Sequence, residues 1–195
     1  MILNKIRLKM IAVTLELQDE HVFISDLNKY LKNYKNNLND KKNLQKISKI
    51  LFILSNYVSK CHHKKEKKFI FPYLINKSGE EASLANEMMN QHRIIENLEN
   101  QLESSLNMVA LKTIDQKLLD LITILDSHIQ EENTVVFAYA EISIDEKEKI
   151  LNEINEFEKE NPEFCNKDKY QKILNQLQFI TFNFFIKIFI NRLLA

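Results

Sequence analysis

The sequence predicts an all-α protein, an antiparallel up-down-up-down four-helix bundle with extra C-terminal helices. Three observations carry that prediction. Apolar residues recur at helical intervals along four successive segments. The 195 residues include one Gly, two Pro and no Trp, amid abundant Leu, Ile, Lys, Glu and Asn, so helix breakers are scarce. Short connections between the segments make neighbours antiparallel. The length suits one compact domain.

The first helix is expected over 14–37, with Leu17, Ile24, Leu27 and Leu31 on one stripe. The second, over 41–73, opens at Asp40 as N-cap, carries Leu51, Leu54 and Val58, and ends near Pro72. Ser78-Gly79 breaks the chain before the third, over 80–108, where Glu80 and Glu81 suit the first turn and Leu84, Met88, Ile95, Leu98 and Leu102 form the stripe. The fourth, over 111–138, carries Ile114, Leu118, Leu121, Leu125 and Val135. Ser143 followed by Glu146 reads as a capping box for a short helix. A polar turn at Asn161-Pro162 then precedes a last helix from about Asp168. Residues 1–160 are thus expected to form the bundle domain and 161–195 an apolar helix for docking or oligomerisation. Its end, Phe179 to Ala195, is very apolar, yet it is short for a membrane span and contains Asn183, Lys187, Asn191 and Arg192. Docking on the domain or on a second subunit is the preferred reading, and a membrane-surface anchor the lesser one.

Composition narrows the function classes. The 27 basic and 27 acidic residues balance, and no basic motif asks for nucleic acid. There is no Gly-rich phosphate loop and no nucleophile elbow. The N-terminal apolar stretch is broken by Glu16 with no cleavage site, which argues against a secretory signal. Cys61 and Cys165 form no CxxC and read as reduced thiols of a cytoplasmic protein.

Each apolar stripe is interrupted by a polar residue where an apolar one is due. These are His21 in the first helix, His62 with Glu66 one turn on in the second, His92 in the third, and His128 with Glu132 in the fourth. His92 lies 16 residues before the end of its helix and His128 17 after the start of its own; His62 and His92 each lie 14 to 16 residues from the turn near 76–78. Three histidines therefore fall at one level of the bundle, and His21 lies in the matching half of its helix. Burying six such groups without a partner would cost several kcal/mol, and a cation is a partner for all of them. Nitrogen and oxygen donors without sulfur do not suit a closed structural zinc site. Four imidazoles and two carboxylates that can bridge suit two iron ions, with manganese the alternative. With an oxo or hydroxo bridge, each ion keeps an open position for a small ligand such as O2 or NO. His63, Glu131 and the lysines 64, 65, 67 and 68 read as solvent-facing.

The set His21, "HHKKE" (His62–Glu66) followed by "FPYL", His92 in "NQHRIIENL", and "HIQEE" (His128–Glu132) resembles the hemerythrin-like family, the HHE cation-binding domain, over roughly residues 14–160. The resemblance implies a non-haem di-iron centre inside an antiparallel bundle, with His21, His62, His92 and His128 as terminal ligands and Glu66 and Glu132 as bridges. The first functional reading is a di-iron module that binds O2 or NO, as a sensor or scavenger. The alternatives are a di-iron enzyme that reduces NO or decomposes peroxide, or an iron donor for cluster repair, and an interaction protein in which the metal fixes the fold. No catalytic acid or base can be named. Glu96, standing where oxygen carriers have a second histidine on the third helix, and Tyr73 are candidates for an extra ligand or a group beside the site. The four-His, two-Glu set is nearest that of the iron–sulfur cluster repair proteins, whose additional N-terminal cysteine-pair domain has no counterpart in the 20 residues before His21.

Overall fold

The computed structural model describes residues 12–177, so the expectations for 179–195 lie outside the described residues. Six helices form among them. Helix α1 is Leu15–Lys35. Thr14 precedes it and ties it to the fourth helix, donating from both its backbone N–H and its hydroxyl to Glu141 at 2.8 Å. Helix α2 is a rod over 41–75, opened as expected by Asp40, whose carboxylate accepts from the Lys42 N–H at 2.9 Å. Helix α3 is Glu80–Asn107. Gly79 before it has φ 92° and ψ −132°, a conformation open to glycine and costly for other residues. Helix α4 is a second rod over 111–143, α5 is Lys147–Glu160, and α6 covers 167–177 within the described residues.

The first four helices form a ring in which α1 packs on α2 and α4, and α3 packs on α2 and α4. The predicted stripes line its interior: Leu17, Ile24, Leu27, Leu31, Leu51, Leu54, Val58, Met88, Ile95, Leu102, Ile114, Leu118, Leu121 and Leu125 are buried. Burying side chains of this size supplies roughly 1.5–3 kcal/mol each, which offsets the cost of placing polar groups among them.

Both rods contain wide, π-type turns, over Leu54–His62 and Glu66–Ile70 in α2 and over Glu132–Val136 in α4. The N–H groups of His63, Phe71 and Phe137 reach back five residues, to the carbonyls of Val58, Glu66 and Glu132. These turns correct two expectations. Pro72 does not end its helix; the wide turn carries the chain past the carbonyl its ring would strike, and the rod continues to Ile75. Val135 does not face the core. The extra residue in the turn rotates it to 37 % exposure and puts Val136 inside.

The capping box is not formed. Ser143 closes α4, Ile144 is extended, and α5 starts after Glu146 with no side-chain cap. Helix α5 lays Ile150, Ile154 and Phe157 against the bundle, with Phe157 edge-on to Phe69. In α6, Tyr170 is buried against Tyr57, and Leu174 and Leu177 are buried too. Cys61 and Cys165 are not free thiols. The fold brings their Cα atoms to 5.3 Å and they form a disulfide across 104 residues, between α2 and the turn before α6. The cytoplasmic reading rested on reduced thiols and loses that support. No helix among the described residues is long and apolar enough to cross a membrane.

Candidate metal centre

The four inner faces meet at one level, where His21, His62, Glu66, His92, His128 and Glu132 are all buried. Facing imidazoles pair across the helices, with His21 Nε2 3.0 Å from His62 Nε2 and His92 Nε2 3.1 Å from His128 Nε2. The carboxylates stand between the pairs. Glu66 Oε1 is 3.3 Å from His62 Nε2, and its Oε2 is 3.4 Å from His92 Nε2. Glu132 Oε2 is 3.2 Å from both His21 Nε2 and His128 Nε2. Separations of about 3 Å are the edges expected for donors lying roughly 2.1 Å from a shared ion. Among the described residues none of the four carboxylate oxygens has a hydrogen-bond partner. At this level two groups could hold a metal, His21–His62–Glu66–Glu132 and His63–Glu66–His92–His128, with ligating atoms in each within 4.8 Å of one another. Glu66 belongs to both.

The wide turns help build this site. Each HxxxE glutamate opens one, and the Phe that closes it packs on the lone histidine of a neighbouring helix. Phe71 lies 5.6 Å from the His92 ring, and Phe137 stacks on His21 at 5.3 Å.

On protein groups alone, the two glutamates are driven apart. Burial and the adjacent Glu66 charge push Glu132 well above the usual carboxylate range. Burial acts on Glu66 in the same sense, but the charge of His62 at 3.3 Å, and then the neighbouring His92, hold it well below. Burial lowers His21 to about 4. His62 goes up to about 9, because the Glu66 charge and the Glu20 hydrogen bond outweigh its burial.

The outward nitrogens are held by residues that sequence reasoning missed. His62 Nδ1 meets Glu20 at 2.7 Å, His21 Nδ1 meets Asn133 at 2.8 Å, and His128 Nδ1 meets Gln91 at 3.1 Å. Such partners fix the tautomer that turns Nε2 inward. Each is the sequence neighbour of a predicted site residue on another helix: Glu20 of His21, Asn133 of Glu132, Gln91 of His92. That adjacency was the available signal. Glu20 also accepts from the Tyr57 hydroxyl and from Lys65, both at 2.7 Å. Burial would raise Glu20, but His62 and Lys65 hold it at about 2.

Other placements differ from expectation. Lys65 is not on a wet face: it is fully buried between Glu20 and Glu158, because α5 covers that side of α2. His63 is buried as well, its ring stacked on His92 at 3.7 Å with its Nδ1 unpartnered. Helix α2 turns His62 toward α1 and His63 toward α3, so both sides of this helix are covered. Glu131 is half-buried and accepts from Gln91 and Ser127. Glu96 is exposed, and Tyr73 is half-buried; neither joins the two groups.

A family model described as the hemerythrin HHE cation binding domain matches residues 13–140, more than half of the chain and all six of the residues that meet at this level. The chain belongs to the hemerythrin HHE cation-binding domain family. As an HHE domain it binds metal cations, and the paired histidines and bare carboxylates fit that role. No curated protein and no solved structure matches the chain.

Proposed function

We propose that this HHE domain holds two iron ions and uses them to take up O2 or NO, as a sensor or scavenger. The observation that supports it most is the set of four buried carboxylate oxygens, bare of hydrogen bonds, between two histidine pairs. Leaving even one such group unsatisfied costs roughly 1–3 kcal/mol. His21 and His62 would hold one ion, His92 and His128 the other, and Glu66 and Glu132 would span both. Donors of nitrogen and oxygen alone favour iron, or manganese, over a sulfur-bound metal. When bound, the irons supply redox chemistry toward a small diatomic ligand at a position the protein leaves open.

The chain's own residues do the rest. Glu20, Asn133 and Gln91 aim three imidazoles inward. Phe71 and Phe137 close the site at two histidines, and the buried leucines and isoleucines around it limit water. The deciding experiment is metal analysis of anaerobically purified protein beside the His62→Ala/His128→Ala variant. About two irons per chain are expected in the parent and far fewer in the variant, with a spectrum that changes reversibly on adding gas. A helical parent that refuses iron would sink the reading, and sustained turnover of NO or peroxide would make the protein an enzyme.

A further inference from the structure

The disulfide joins the frame of the metal centre to the segment that covers it. Cys61 directly precedes His62, and both lie in the wide turn Leu54–His62, where the regular helical ladder is interrupted. Cys165 lies in the turn between α5 and α6. The helices on either side of that turn support the same half of the centre. Glu158 of α5 pairs with Lys65, and the Tyr170 ring of α6 packs 5.5 Å from that of Tyr57. Lys65 and Tyr57 are the groups that hold Glu20, and Glu20 holds His62 Nδ1. Near the turn, Lys167 donates to the Asp19 carbonyl at 3.3 Å and Lys60 lies 5.0 Å over the Phe164 ring, both contacts of the surface. Cys61 is fully buried, whereas Cys165 is only half-buried, with Pro162, Glu163 and Asn166 exposed around it. The bond is therefore approached from the Cys165 side, and exposed disulfides are the labile ones.

We infer that this disulfide is a site of thiol–disulfide exchange with a small dithiol, and that its reduction loosens the metal position built on His62. A thiolate of the dithiol attacks Cys165 Sγ; the S–S bond breaks, and Cys61 leaves with the electron pair and takes up a proton. The second thiol of the dithiol then displaces Cys165 in the same way. The dithiol ends as its own disulfide, and the protein gains two electrons and two protons as two thiols. Without the link, the turn and the start of α6 can move off Tyr57, and α5 can relax from Lys65. Glu20 then loses the supports that fix it, and the His62 imidazole is free to swing. Loss of such an outer partner weakens a metal position without removing a ligand. The exchange stands on the placement of the two cysteines, and its consequence rests on the proposed metal reading.

The test uses the full-length protein after its metal content has been measured, with dithiothreitol as the dithiol. Both cysteines should become free thiols at neutral pH while far-UV circular dichroism stays helical. Reduced, then desalted without oxygen, the protein should release one of its metals to a chelator about 10-fold faster than the oxidised protein. Cys165→Ser should release it at the faster rate before dithiothreitol is added and no faster afterwards, which separates the loss of the link from chelation by the reagent. If that variant fails to fold, the reduced and desalted parent decides alone. A staple of the fold and nothing more would lower the melting temperature and leave metal release unchanged, and that result would overturn the inference. So would a disulfide that dithiothreitol reduces only in unfolded protein. If no metal binds at all, the di-iron reading fails by itself, and the metal-free protein still decides. Reduction should shift its His62 ring resonances and leave those of His128 in place; His62 resonances that do not move would overturn the inference.

Discussion

The two halves of the centre contain similar donors and very different supports. On the α1–α2 side, His62 leans on Glu20, which is locked by Tyr57 and Lys65, and Lys65 reaches Glu158 on α5. On the α3–α4 side, His128 leans on a neutral amide, Gln91, and His92 Nδ1 has no partner. The first half is braced by charges and sealed by a further helix, while the second adjoins a cavity. Buried charges need a closed network of partners, and closing it excludes solvent. Neutral supports carry no such demand, so the half that uses them can stay accessible. The asymmetry separates a holding position from a reachable one.

The largest effect should come from the residue the halves share. Glu66→Ala removes a carboxylate from both groups and should leave neither position able to retain metal after desalting, as read by metal analysis. Retention of one ion would mean the halves bind independently. Next come the supports themselves. Lys65→Met strips Glu20 of its buried cation, and breaking such a pair costs roughly 3–5 kcal/mol. Its melting temperature should fall and, on the proposed di-iron reading, one metal should loosen. Gln91→Ala should cost about 10-fold in affinity for one metal with little change in folding stability. Equal effects of the two substitutions would erase the contrast.

Much of this was legible in the sequence, for reasons tied to particular residues. His62 with Glu66 and His128 with Glu132 stand one turn apart, and a helix puts such pairs on one face whatever surrounds it. His92 and His21 interrupt clear apolar stripes. The rest depends on what packs outside the helix. Lys65 reads as one more lysine in a basic run, and only the return of α5 with Glu158 buries it. His63 points about 100° away from His62, and that direction is inside only because α3 covers it. The Cys61–Cys165 pairing spans 104 residues and needs the folded path of α5 to bring its ends together. The wide turns leave no local mark beyond the spacing of each glutamate to its Phe, and they moved Val135 out and Val136 in.

The smallest expected effect comes from a second buried carboxyl that tests the same contrast away from the metal. Glu20 and Glu99 are both almost fully buried. Glu20 has two cations and sits at about 2; Glu99 pairs with no cation among the described residues, and burial, against the Ser59 hydroxyl at 3.1 and 3.2 Å and the more distant Lys60 charge, pushes it up to about 8. The folded chain therefore keeps a proton on Glu99 that the unfolded chain releases near 4.5. Between those values the folded state binds more protons, so this group's contribution to stability falls as pH rises, and levels off above about 8. Glu99→Gln keeps the shape and cannot ionise. Denaturant unfolding at a series of pH values should show the variant matching the parent near pH 4.5 and exceeding it by at least about 1 kcal/mol above pH 8. Groups common to both proteins cancel in that difference. A constant gap at all pH values would mean that Glu99 stays charged in the fold, and that burial without a cation is less costly here than the contrast with Glu20 requires.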